Sequence, residues 1–211
     1  MYCVISLPRT SSTSAWHLIY ASMMMVNPES ARHPLSSKFS AFNPRYITPE
    51  DIELKFQKIV SSDPLPVIKI ISNHDFSMVG RIVETSYKTV FIEPVDLKKQ
   101  ILKVLVAKKT DSFVNKKERK KHVGSVEISS EEIIERFSYY KRHMMYKNHC
   151  DYQITDEMIQ NNPDYVQQLL GLPVMKSKHN YQSFEISDEM MLHDVNEFNT
   201  LYERLEKEYE W

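Results

Sequence analysis

Three glycines in 211 residues are too few to build a glycine-rich nucleotide loop. The phosphate cradle G-x-x-x-x-G-K-[ST] needs two glycines and a lysine in one short stretch. No such stretch occurs, which disfavours a nucleoside triphosphatase or kinase of that design. The two cysteines, Cys3 and Cys150, make neither a disulfide framework nor a metal-ligand spacing. A formal charge of −1 leaves no global field to draw the chain toward nucleic acid or a membrane, so any basic contact surface has to be local. No apolar run approaches the roughly 18 residues of a membrane span, and no basic region followed by a long hydrophobic stretch opens the chain. These absences together predict a cytoplasmic protein.

The rest of the composition is that of a globular protein, and the length suits one domain over residues 1–211 with a sizeable core. Residues 2–7, 66–71 and 89–92 are short, apolar and rich in Val and Ile, with a weaker strand candidate at 183–186. Such runs separated by helical stretches predict an α/β fold whose mainly parallel central sheet is flanked by helices on both faces. Ser12 or Thr13 is expected to cap a helix running toward Met25. Thr48, Pro49, Glu50 and Asp51 read as a second helix start, with Ile52, Phe56 and Ile59 on one face. Residues 96–109 place Leu97, Ile101, Leu105 and Lys108 on successive turns. Ser129 opens a helix striped with Ile133, Phe137, Tyr140 and Met144, and Met191, Val195, Phe198, Tyr202, Leu205 and Tyr209 mark a last amphipathic helix. Residues 27–45 and 112–125 read as loop excursions from this scaffold. The second carries Lys116, Lys117, Arg119, Lys120 and Lys121 in a nearly continuous basic run.

Chemistry concentrates directly after the first strand, in "SLPRTSSTSAWH" from Ser6 to His17. A strand that turns straight into a helix wraps the helix N-terminus, where unpaired backbone N–H groups and the positive end of the helix dipole meet. The hydroxyls of Thr10, Ser11, Ser12 and Thr13 and the guanidinium of Arg9 would face one anion there. The chemistry is phosphate or sulfate recognition.

Pro8-Arg9-Thr10-Ser11-Ser12-Thr13 resembles the 5′-phosphosulfate loop of the sulfotransferases that use 3′-phosphoadenosine 5′-phosphosulfate (PAPS), written P-[RK]-[ST]-G-[ST]-T, with Ser11 where the family has Gly. Glu93 to Phe113 is similar to a segment of bacterial and phage-type members, Gln100, Ala107, Thr110 and Phe113 holding corresponding places. In that segment the family has an Arg at the strand end and a Ser in the following helix, which hold the 3′-phosphate. Here the strand end reads Ile92-Glu93-Pro94-Val95 and Lys103 stands at the Ser position, leaving Lys98, Lys99 or Lys103 to supply the charge.

The resemblance implies a three-layer P-loop-NTPase-like fold, and transfer of a sulfuryl group from PAPS to a hydroxyl or amine on a small molecule or glycan, without a metal. It implies that Arg9 and Thr10 to Thr13 bind the donor and that Arg9 stabilises charge on the bridging oxygen. His74, past the second strand, or Glu29, beyond the first helix, is then the candidate general base. A composition rich in Lys, Asn, Ile and Met suits an AT-rich microbial or phage genome, hence a host cytoplasm for a phage-encoded protein.

A second reading keeps the fold and drops the catalysis: a binding module that contacts an acidic partner through Lys116 to Lys121. Only Phe113 lies near that run to stack on a base, so nucleic acid is disfavoured as the partner.

Overall fold

A computed structural model describes residues 1–8, 10–33, 36, 49–71, 76–109, 126–176 and 195–208. The chain divides into two compact units, Met1–Val95 with Arg142–Tyr181, and Asp96–Lys141 with Gln182–Trp211.

The first unit is built on four strands, β1 (Tyr2–Ser6), β2 (Val67–Ile71), β3 (Lys88–Glu93) and β4 (Tyr152–Thr155), in the order β2-β1-β3-β4. Every pairing among them is parallel, with Val4 opposite Lys69 and Val90, and Ile92 opposite Ile154. Because side chains alternate, each strand feeds both faces of the sheet. Val4, Val67, Val90, Ile92 and Ile154 meet Ala15, Trp16, Ile19, Ile159 and Val166, which belong to α1 (Ser12–Val26), α7 (Asp156–Asn161) and α8 (Tyr165–Leu169). Cys3, Ile5, Ile68, Ile70 and Phe91 meet Phe56 and Ile59 of α3 (Pro49–Val60) and Val79 and Ile82 of α4 (Phe76–Thr85). The architecture is therefore α/β, a parallel sheet between two helical layers, and both faces being covered explains the continuous apolar strands.

Short α2 (Pro28–Arg32) replaces the start of the loop expected at 27–45. Pro28 occupies its first turn and Asn27 caps it by accepting from the Ser30 amide. Past this helix the Ser36 hydroxyl donates to the Ser30 carbonyl and accepts from the Val67 amide at 2.8 Å, covering the start of edge strand β2.

The second unit packs α5 (Leu97–Lys109), most of α6 (Ser130–Met144) and α9 (Val195–Glu208) around Ile101, Leu105, Ile133, Phe137, Phe198 and Tyr202. Ser129 and Glu132 cap α6 reciprocally, each side chain accepting from the other residue's amide. The last three residues of α6, Arg142 to Met144, belong to the first unit, since the division falls inside that helix. Among the described residues no helix is long and apolar enough to cross a membrane.

Candidate functional site

From β1 the chain leaves to β2 on one side and then passes to β3 on the other. In open parallel sheets the crevice at the carboxyl ends of the strands where such a reversal occurs is where ligands bind. The turn between β1 and α1 stands at that end. The turn is closed from within by Thr10, fully buried, whose hydroxyl donates to the Leu7 carbonyl at 2.7 Å. That commits the Thr10 hydrogen to the backbone, so this residue shapes the turn instead of offering a donor to an anion.

Ser11 is the N-cap of α1, one residue earlier than the expected Ser12 or Thr13. Its φ of 54° and ψ of 11° are left-handed, and its side chain makes no cap hydrogen bond. No acidic residue lies in the first turn of α1 and its cap side chain makes no cap hydrogen bond, so the helix's own first turn does not neutralise its positive end. The Ser11 hydroxyl instead accepts from Gln160 Nε2 of α7 at 3.1 Å. A non-glycine residue in this conformation costs about 1–2 kcal/mol, against roughly 0.5–1 kcal/mol of extra chain entropy that a glycine loses on folding. Relief of strain exceeds the entropy, so Ser11→Gly is expected to raise the thermal unfolding midpoint by about 1–3 °C. A lowered midpoint in differential scanning calorimetry would show that the Gln160 contact outweighs the strain.

Lys69 is the buried cation of this site. Alternation along β2 puts it on the same face as Val67, beneath α1, where it is 3% exposed. Its Nζ donates to Thr13 Oγ1 at 2.8 Å. Burial disfavours the ammonium and brings its pKa down to about 8, so the charge is kept at neutral pH with little margin. Trp16, one turn after Thr13 on the same side of α1, donates from Nε1 to the Val67 carbonyl at 3.1 Å. These two contacts tie the first turns of α1 to β2. Lys69 carries a signal in the sequence: it is the one charge inside the apolar run Val67-Ile68-Lys69-Ile70-Ile71.

At the carboxyl end of β3, Glu93 accepts from Lys147 at 2.7 Å. The carboxylate that stands where the resemblance puts an Arg is thus paired with a cation from the turn Lys147–His149.

Of the hydroxyl row Thr10 to Thr13, Thr10 and Ser12 are buried and Ser11 and Thr13 half-buried. Glu29 is exposed in the first turn of α2, where a carboxylate suits the helix dipole. Lys99 is exposed and Lys103 half-buried, both on α5 of the second unit. Arg9, His74 and the basic run Lys116 to Lys121 lie outside the described residues. Among the described residues no group of three or more His, Cys, Asp or Glu side chains is gathered to hold a metal ion. No model of a known protein family matches the chain, and no curated protein matches it.

Proposed function

We propose that the protein is a sulfotransferase of P-loop-like fold, moving a sulfuryl group from PAPS to a hydroxyl or amine of a small-molecule or glycan acceptor. Ser11 carries this reading. The position at which the chain departs from the family's loop pattern by replacing Gly is the one described non-glycine residue with a positive φ, the backbone conformation for which glycine is favoured. The similarity of Pro8 to Thr13 to the phosphosulfate loop is therefore supported by a backbone feature that composition alone does not produce.

The residues fit a doubly charged oxyanion in kind. The α1 N-terminus bears no acid in its first turn, and Ser11 and Thr13 accept from Gln160 and Lys69 and keep their own hydroxyl hydrogens for donation. Bound PAPS would supply an activated sulfuryl group whose in-line transfer needs charge neutralisation at the leaving oxygen more than covalent help. Arg9 is the residue for that task, and His74 or Glu29 would take the acceptor's proton.

Calorimetric titration with adenosine 3′,5′-bisphosphate, the product that PAPS leaves, tests the proposal. Binding with a dissociation constant below about 1 mM, weakened about tenfold or more by Arg9→Ala, is the expected result. Absence of heat and of thermal shift at millimolar ligand would remove the reading. The Glu93–Lys147 pair at the strand end favours a second one, a binding module of the same fold in which the 3′-phosphate position is lost. Its mark is the reverse pattern: no bisphosphate binding, and capture of an acidic polypeptide abolished by charge reversal at Lys116, Lys117, Lys120 and Lys121.

A further inference from the structure

We propose that Lys69 is a positioning residue that holds Thr13 as a hydrogen-bond donor toward the anion; this rests on the reading of the Pro8 to Thr13 turn as an oxyanion site. An ammonium group has three hydrogens and no lone pair, whereas a hydroxyl can turn its single hydrogen toward whichever acceptor is nearest. In the 2.8 Å contact between Lys69 Nζ and Thr13 Oγ1 only the lysine can donate. Thr13 must accept, and its hydrogen points away from Lys69. A threonine hydroxyl that would otherwise choose between accepting and donating is fixed in the sense that an oxyanion, an acceptor only, requires.

The placement is specific. Lys69 pairs with Val4 in register, faces the layer that contains α1, and stands inside a strand whose other four side chains are apolar. Packing alone would be met by a methionine of similar length, and burial works against the charge. An amine kept there despite that cost points to polar contacts, the hydrogen bond to Thr13 among them. The contact lies within the first turn of α1, and Trp16 holds that turn on β2, so Thr13 has little freedom to find another partner by swinging away.

A double-mutant cycle in the full-length protein tests the assignment, with adenosine 3′,5′-bisphosphate and inorganic sulfate as probes and thermal melts as the control for folding. Lys69→Met and Thr13→Val are each expected to weaken binding about tenfold, and the double variant no more than about twofold beyond the worse single one, because the lysine acts through the hydroxyl. Thr13→Ser, which retains the hydroxyl, should bind within about threefold of the parent. Fully additive losses would mean that Lys69 acts on the anion by its own charge, and would overturn the assignment. Unchanged binding by Thr13→Val would overturn it as well, and decides the matter even where Lys69→Met fails to fold. Sulfate bound in a manner that depends on Lys69 and Thr13, without bisphosphate binding, would leave the assignment standing and remove the sulfotransferase reading. Binding of neither probe would remove both.

Discussion

Trp16→Ala is expected to lower stability by about 3–5 kcal/mol, the range for deleting a buried large aromatic, and to drop the unfolding midpoint by roughly 10 °C or more. The indole is 2% exposed in the layer between α1 and the sheet, and its Nε1 donates to the Val67 carbonyl. Truncation leaves a cavity and an unpaired carbonyl, and it frees the helix turn that carries Thr13. Trp16→Phe keeps most of the apolar contact and loses only the N–H, so about 1 kcal/mol is expected from it. Urea melts of the two variants separate the packing contribution from the hydrogen bond. Nearly equal losses would mean that the bond, not the burial, holds α1 down. Because the same residue fixes the loop, the variants should also rank in bisphosphate affinity as they rank in stability.

Acid should destabilise the first unit through His143. This residue is fully buried in the last turn of α6, stacked on Phe91 with ring centroids 4.1 Å apart, and its Nε2 is 3.0 Å from the Ile92 carbonyl. Burial holds its pKa down at about 3, against 6.5 for the exposed group, so the folded protein keeps it neutral with the Nε2 hydrogen on Ile92. Below pH 6.5 the unfolded chain takes up a proton that the folded chain refuses. Stability therefore falls as pH drops from 6.5 toward about 3, with a slope on the order of 1 kcal/mol per pH unit. Carboxylates titrate in the same window, and the measurement that isolates the histidine is the difference between the parent and His143→Gln, which retains a donor and does not titrate. The parent should lose about 1–2 kcal/mol more than the variant between pH 7 and pH 5. Parallel pH profiles would show that the imidazole protonates inside the fold.

The elements that were legible in the sequence are those whose periodicity is strong and whose surroundings are uniform. Val and Ile runs marked β1, β2 and β3 to within a residue or two because strands covered on both faces are apolar throughout. Leu97 to Lys109 and Ser130 to Met144 declared themselves by stripes that the folded chain buries at Ile101, Leu105, Ile133, Phe137 and Tyr140. β4 was not legible: Tyr152-Gln153-Ile154-Thr155 is four residues long, and as an edge strand it buries only Ile154. α4 was missed although Val79 and Ile82 have helical spacing, because ten residues with a glycine in their midst give a weak pattern. α7 begins directly at the end of β4, capped by Thr155, so no loop composition separated the two.

The candidate site was half legible. A dense row of hydroxyl residues after a strand pointed to the turn, but the division of labour within it depends on backbone geometry that side-chain types do not encode. Thr10 spends its hydroxyl on Leu7, Ser11 adopts the left-handed conformation, and Thr13 meets Lys69 from a strand more than fifty residues away. Gln160 is farther still in sequence, and nothing in its neighbourhood singles it out.

The serine hydroxyl that occupies the Val67 amide has a consequence for how molecules of this protein behave toward one another. An open border of a parallel sheet invites a foreign segment to zip alongside, and the first rung of such a zipper on β2 would have to displace Ser36 from two partners at once. Deleting that hydroxyl, as in Ser36→Ala, would take from the buried Val67 amide its acceptor at a cost of about 1–3 kcal/mol, expose the border and make concentrated solutions prone to fibril growth.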